Sequence, residues 1–177
     1  PAPLSREQIA AITDAGMAAL TATQAPGFTT TQMAALTSTQ VGAFSKLALA
    51  ALSASQVLAI DATDLEALST TQVSALTTKQ IAGLSTDQIA ALSTAQLGAI
   101  SATAVPGFTT SQIASLETAD IASLTAKQVA ALKTTQIAAL SDENRTSNSN
   151  ERMYKTKDPQ SKKKKTTQVA ALGGARG

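Results

Sequence analysis

Leu84-Ser85-Thr86-Asp87-Gln88-Ile89-Ala90-Ala91-Leu92 is the stretch that decides the fold. Ser-x-x-Gln is a capping box. The Ser85 hydroxyl accepts from the third helical N–H, and the Gln88 side chain reaches back to the N–H of Ser85. Leu84 and Ile89 fall at the two positions of a hydrophobic staple, one before the cap and one in the first turn. Ala90-Ala91-Leu92 continues with good helix formers. Ser93 follows Leu92, so the whole helix-start signal begins again after eight residues.

The same octad extends outward in both directions, from Leu4 to Leu140. Aligned on glutamine, one slot holds Gln from Gln8 to Gln136, with Asp64 and Asp120 as acidic substitutes and Gly16, Ala48 and Ala104 as small ones. Four residues after each of these comes a large apolar slot. Its 18 occupants are all Leu, Ile or Phe, and the next residue is Ser or Thr in 15 of the 18 cases; Asp61, Glu117 and Lys133 are the exceptions. One continuous helix does not suit this pattern, because eight residues at about 100° each turn the apolar stripe by roughly 80° per repeat. Coiled coils need periods of seven or eleven. A β-helix is disfavoured by the odd spacing of the two apolar slots, which puts them on opposite faces of a strand. A short helix restarted at each Ser/Thr resets the phase, so every apolar slot can face one core. The predicted fold is therefore all-α, a solenoid of short eight-residue helical repeats held by neighbour contacts. Segments of six to eight residues are expected, with both apolar slots buried and the two positions after each cap exposed. The first coil is expected to expose Leu4, Ile9 and Ile12. The small residues after Ile/Val, among them Gly42, Gly83 and Gly98, either allow close approach of helices or simply supply propensity.

Composition narrows the function. The 177 residues include no His and no Cys, and only 2% are aromatic. The usual nitrogen and sulfur ligands of zinc, haem and iron–sulfur clusters are missing, as is the commonest general base. No enzyme activity, catalytic residue or cofactor is expected. Asp61, Asp64 and Glu66 form the one tight acidic group in the array. They lack the glycine-containing loop of a calcium site; Asp61 sits in the cap slot, where Asp is a normal N-cap. They are read as structural, and no metal is expected. No apolar run approaches the length of a membrane span, and no signal-peptide pattern opens the chain.

Two octads are punctuated alike, Ala25-Pro26-Gly27-Phe28 and Val105-Pro106-Gly107-Phe108, 80 residues apart. They mark either a corner of the superhelix or a duplicated block. The charge is uneven as well. Residues 1–140 carry five Lys/Arg and eight Asp/Glu, whereas residues 141–177 carry nine and four. The organisation expected is a helical solenoid over 1–140, a disordered basic loop over 141–165, and a last octad with a Gly-rich end over 166–177. Lys162 to Lys165 has no aromatic platform beside it, so it is read as solvated and nucleic acid is not an expected partner. Asn144-Arg145-Thr146 fits a glycosylation triplet and is read as a chance match.

The octads Leu84 to Leu92 and Leu124-Thr125-Ala126-Lys127-Gln128-Val129-Ala130-Ala131-Leu132 resemble low-complexity arrays of very large proteobacterial proteins of the adhesin, haemagglutinin-like and type I-secreted calcium-binding kinds. The resemblance covers nearly all of residues 4–140. It implies a bacterial, extracellular or cell-surface protein. The octads also look like the opening helix of the DNA-reading repeats of TAL effectors, but the longer repeat and the variable base-reading pair of that array are missing. The function expected is that of a self-associating fibre, filament or adhesin stalk, with other copies of the chain, or a surface or glycan, as partner. The alternative is a module that binds glycan or ice through regular Thr and Gln rows.

Overall fold

The computed structural model describes residues 4–140. Within them lie fifteen α-helices, two 3-10 turns and no strand. The all-α solenoid is the observed fold. Each helix begins where the octad says it should. In α10 (Thr86–Ala91), Ser85 is the N-cap with φ −72° and ψ 164°; its hydroxyl accepts from the Gln88 N–H, and the Gln88 amide oxygen accepts from the Ser85 N–H at 3.0 Å. Leu92, the C-cap, is again extended at φ −69° and ψ 133°. Two consecutive extended residues, Leu and Ser, thus turn the chain between helices. No residue takes a positive φ anywhere in the described chain, so the turn needs no glycine.

The helices are four to six residues long; nine of the fifteen have six, the lower bound of the six to eight expected, and the other six are shorter. The difference lies at their C-terminal ends. The N–H of the Leu slot bonds three residues back, as Leu92 does to Ile89 at 3.2 Å, and the chain leaves the α region there.

The coil is defined by which helices touch. α6 (Ala54–Leu58) packs on α9 (Thr78–Gly83), and α7 (Ala62–Leu65) packs on both α4 (Ser38–Ala43) and α10. These partners lie three octads apart in sequence. From Leu36 to Leu140 the Leu/Ile/Phe slot is buried at every octad, and the Ile/Val slot is at most 1% exposed from Ile9 to Ile137. The two positions after each cap are exposed throughout, except for half-buried Ala54, Ala62 and Ala102. The first coil departs from expectation at Ile9, which is fully buried; Ile12 is half-buried and Leu4 is 49% exposed. The Ile/Val column faces the interior of its own coil, and the Leu column faces the coil before it. In the Leu column of the first coil Leu4 is exposed, and Ile12, Leu20 and Phe28 are half-buried against the core. Phe28 also packs edge-to-face on Phe44, with centroids 6.4 Å apart.

Both Pro-Gly octads replace the α-turn by a 3-10 turn, Ala25–Gly27 and Val105–Gly107. The glycines show close approach of coils. A Cβ on Gly107 would collide with the Thr78 carbonyl oxygen, and one on Gly83 would lie 2.8 Å from the Ala54 Cβ. The disordered-loop reading of 141–165, the octad at 166–177 and the Asn144 triplet lie outside the described residues.

Candidate functional site

The feature that recurs at 12 of the 17 octads is the glutamine, and it does more than cap its own helix. Gln80 Oε1 accepts from the Thr77 N–H at 2.8 Å, while its Nε2 donates to the carbonyl oxygens of Leu49 and Leu52 at 2.9 and 2.8 Å. Those acceptors lie 31 and 28 residues earlier, at the end of a helix in the preceding coil. Gln40 makes the same pair of bonds to Ile9 and Ile12, and Gln128 makes it to Leu97 and Ile100. A helix C-terminus leaves carbonyls without intrahelical donors. Here the amide of the next coil supplies them. The side chain sits between a helix start and a helix end, and both its oxygen and its nitrogen are used.

The bonds also give the size of the coil. Contacts between coils span 25 to 31 residues and the packed helices lie three octads apart, so one coil is a little more than three octads. Ser38 Oγ donates to Asp64 Oδ1 across 26 residues, and Thr78 Oγ1 to the Thr103 carbonyl across 25, in keeping with that step.

The octad pattern read as a capping box misses this second use of glutamine. A capping box accepts Glu as readily as Gln, yet among the 12 described octads with a long side chain in the slot none has Glu. That bias is the trace of the Nε2 bonds, since a carboxylate has no donor. Ten of these glutamines, from Gln32 to Gln136, are buried; Gln8 and Gln24, in the first coil, are exposed. The glutamine row is thus an internal seam rather than a ligand-facing surface, which corrects that part of the glycan or ice reading. The cap hydroxyls are also engaged by the backbone, as at Thr109 and Thr125.

The acidic group does not converge. Asp61 Oδ1 accepts from the N–H and hydroxyl of Thr63, both at 3.2 Å; Asp64 reaches Ser38 of the preceding coil at 2.5 Å; Glu66 is exposed. Among the described residues, no three or more acidic side chains are placed to hold a metal ion. No helix among them is long and apolar enough to cross a membrane. Glu7 has its carboxyl held below the usual range, first by its own backbone N–H and then by the Ser5 hydroxyl, with the Arg6 charge adding to both.

Among the slots without glutamine, Ala48 and Ala104 are 56 residues apart, as are Asp64 and Asp120, which is seven octads. No curated protein and no solved structure matches the chain. The family model of the ALTTAQ repeat matches residues 57–94 and 113–144. Those two blocks are similar to the ALTTAQ repeat.

Proposed function

We propose that this array is a non-enzymatic structural element of a bacterial cell surface: a stalk, fibre or filament segment that associates with copies of itself. The observation that carries the reading is the uniform junction between coils. At Gln40, Gln80, Gln112, Gln128 and Gln136 alike, the side-chain amide meets carbonyls 28 and 31 residues back. A solenoid built this way can be lengthened without new chemistry, as nearest-neighbour repeat proteins are. Buried amides in place of buried charges also suit a part whose work is mechanical spacing. Negative-stain microscopy and light scattering across a concentration series test the reading. Rods or filaments whose mass rises with concentration are expected. A compact particle of one chain at every concentration would refute it. Loss of the protein on proteolysis of intact source cells is the expected sign of surface exposure.

A further inference from the structure

The coil step sorts the charged residues. Counting positions at the 28-residue step of the Gln80–Leu52 bond, Asp87, Asp61, Glu117, Glu7, Asp64, Asp120 and Glu66 fall at positions 3, 5, 5, 7, 8, 8 and 10, with Asp14 at 14. Lys127, Lys46, Lys133 and Lys79 fall at 15, 18, 21 and 23. Arg6, at position 6, is the one basic residue on the acidic side. The separation holds at the shorter step as well. With the 26-residue spacing of the Ser38–Asp64 bond, the acids occupy positions 7 to 16, and the four lysines run from 20 through the end of the coil to position 3. At these steps seven acids and four lysines thus fall on two different sides of the coil, with Asp14 between them at the longer step.

All four lysines are exposed, and so are the acids, apart from half-buried Asp64 and Asp120. Each side also carries an exposed leucine. Leu47, 67% exposed, falls at position 19 beside Lys46, and Leu58, 47% exposed, falls at position 2, at the edge of the acids. Elsewhere in the described chain the only large hydrophobic of comparable exposure is Leu4.

We infer that the two sides form a lateral interface, in which the lysine side of one copy, with Leu47, meets the acidic side of a second, with Leu58. The proposal rests on the self-association reading above and adds its surface and direction. Exposed ion pairs are individually weak, but a row of them along a rod acts together and is screened by salt. Because the two surfaces differ, the contact is heterologous and does not close on itself, so side-by-side growth continues into bundles or sheets.

Two variants of the full chain test this. One neutralises the lysine side (Lys46→Gln, Lys79→Gln, Lys127→Gln, Lys133→Gln). The other neutralises four of the exposed acids (Asp61→Asn, Glu66→Gln, Asp87→Asn, Glu117→Gln) and leaves Asp64, which holds Ser38 across coils. Circular dichroism and melting confirm that each folds as the native chain does. In light scattering at about 0.02 M salt the native chain is expected to grow with concentration, and at about 0.5 M to fall back at least tenfold in mass, where the Debye length is only a few ångströms. Each variant alone should stay at the mass of one chain. Their equimolar mixture should stop at a mass of two, since each copy retains one working side. Native growth that ignores salt, or variants that assemble alone as the native chain does, would overturn the lateral interface while leaving self-association standing. Salt-sensitive growth of the lysine-neutral variant would instead assign the acidic side to the lysine-rich segment at 152–165, and also overturn it. A native chain that stays single at low salt would remove both readings.

Discussion

Gln80 shows what one residue does in this architecture. It is 1% exposed and bonds in two directions. Gln80→Glu would keep the acceptor for Thr77 but set a carboxylate oxygen against two carbonyl oxygens. Leaving buried polar groups unpaired costs about 1–3 kcal/mol, and more when charge is involved. A loss of about 2–4 kcal/mol at pH 7 is expected in urea melts, against little change for exposed Gln8→Glu. The carboxyl pKa would be raised in the fold, so the loss should shrink as pH falls through that raised value and the group becomes a donor. Equal effects at both sites would show that the Nε2 bonds add nothing. The glycines give a second contrast within one motif. Gly107→Ala drives a Cβ into the Thr78 carbonyl, whereas a Cβ on Gly27 meets nothing within 4 Å. Overpacking of this kind costs about 1–3 kcal/mol or more. Gly27→Ala, at an ordinary negative φ, should be neutral or stabilise by up to about 1 kcal/mol through the unfolded chain. Melting temperatures of the two variants that move together would contradict the close coil contact at Gly107.

A helix of four to six residues does not persist alone in water, so each one here depends on its cap and on its neighbours. The starts were legible because most octads carry the capping box and the staple in one line of sequence. The ends were not, since Leu92 and its counterparts stop the helix by turning extended toward the coil before them, and no end-signal residue marks that point. Lys133 is the weak start. Its N–H bonds to Gln136 Oε1 at 2.7 Å, but an ammonium group cannot accept from the helix N-terminus. Lys133→Thr should supply the missing acceptor and stabilise by about 1 kcal/mol. Chemical denaturation of the variant checks this, and an unchanged midpoint would mean the terminal N–H groups of α15 (Thr134–Ala139) are already satisfied.

At the scale of the whole molecule, the coil is tolerant of whole octads and intolerant of fractions. A second copy of Thr125–Leu132 inserted after Leu132 would give every following glutamine another octad's carbonyls in the same register. The melting temperature should hold or rise. Inserting only four of those residues would put apolar slots outside and should lower it sharply; similar melting of the two insertions would show that the junctions are not in register. The polar groups buried in the array are glutamines, which do not titrate. Thermal stability should therefore vary little between about pH 5 and pH 9. Glu7 is the expected source of a slight acid effect. Its depressed pKa makes its contribution present above the unfolded value and lost as pH falls through the folded one, and its exposure keeps that contribution small. A steep loss of stability inside that window would point to a buried ionised group.

By itself the sequence determined the helix, the restart every eight residues and the two buried columns, because all of these follow from contacts within one octad: Ser85 with Gln88, Leu84 with Ile89. The number of octads per coil, the second set of bonds on each glutamine, the sorting of Asp61 and Glu117 to one side and of Lys46 and Lys127 to another, and the need for glycine at 107 but not at 27 were decided by tertiary structure. They depend on residues 24 to 31 positions apart meeting across coils. A period of eight is compatible with any number of octads per turn, and it is the packing of one coil on the next that selects a little more than three.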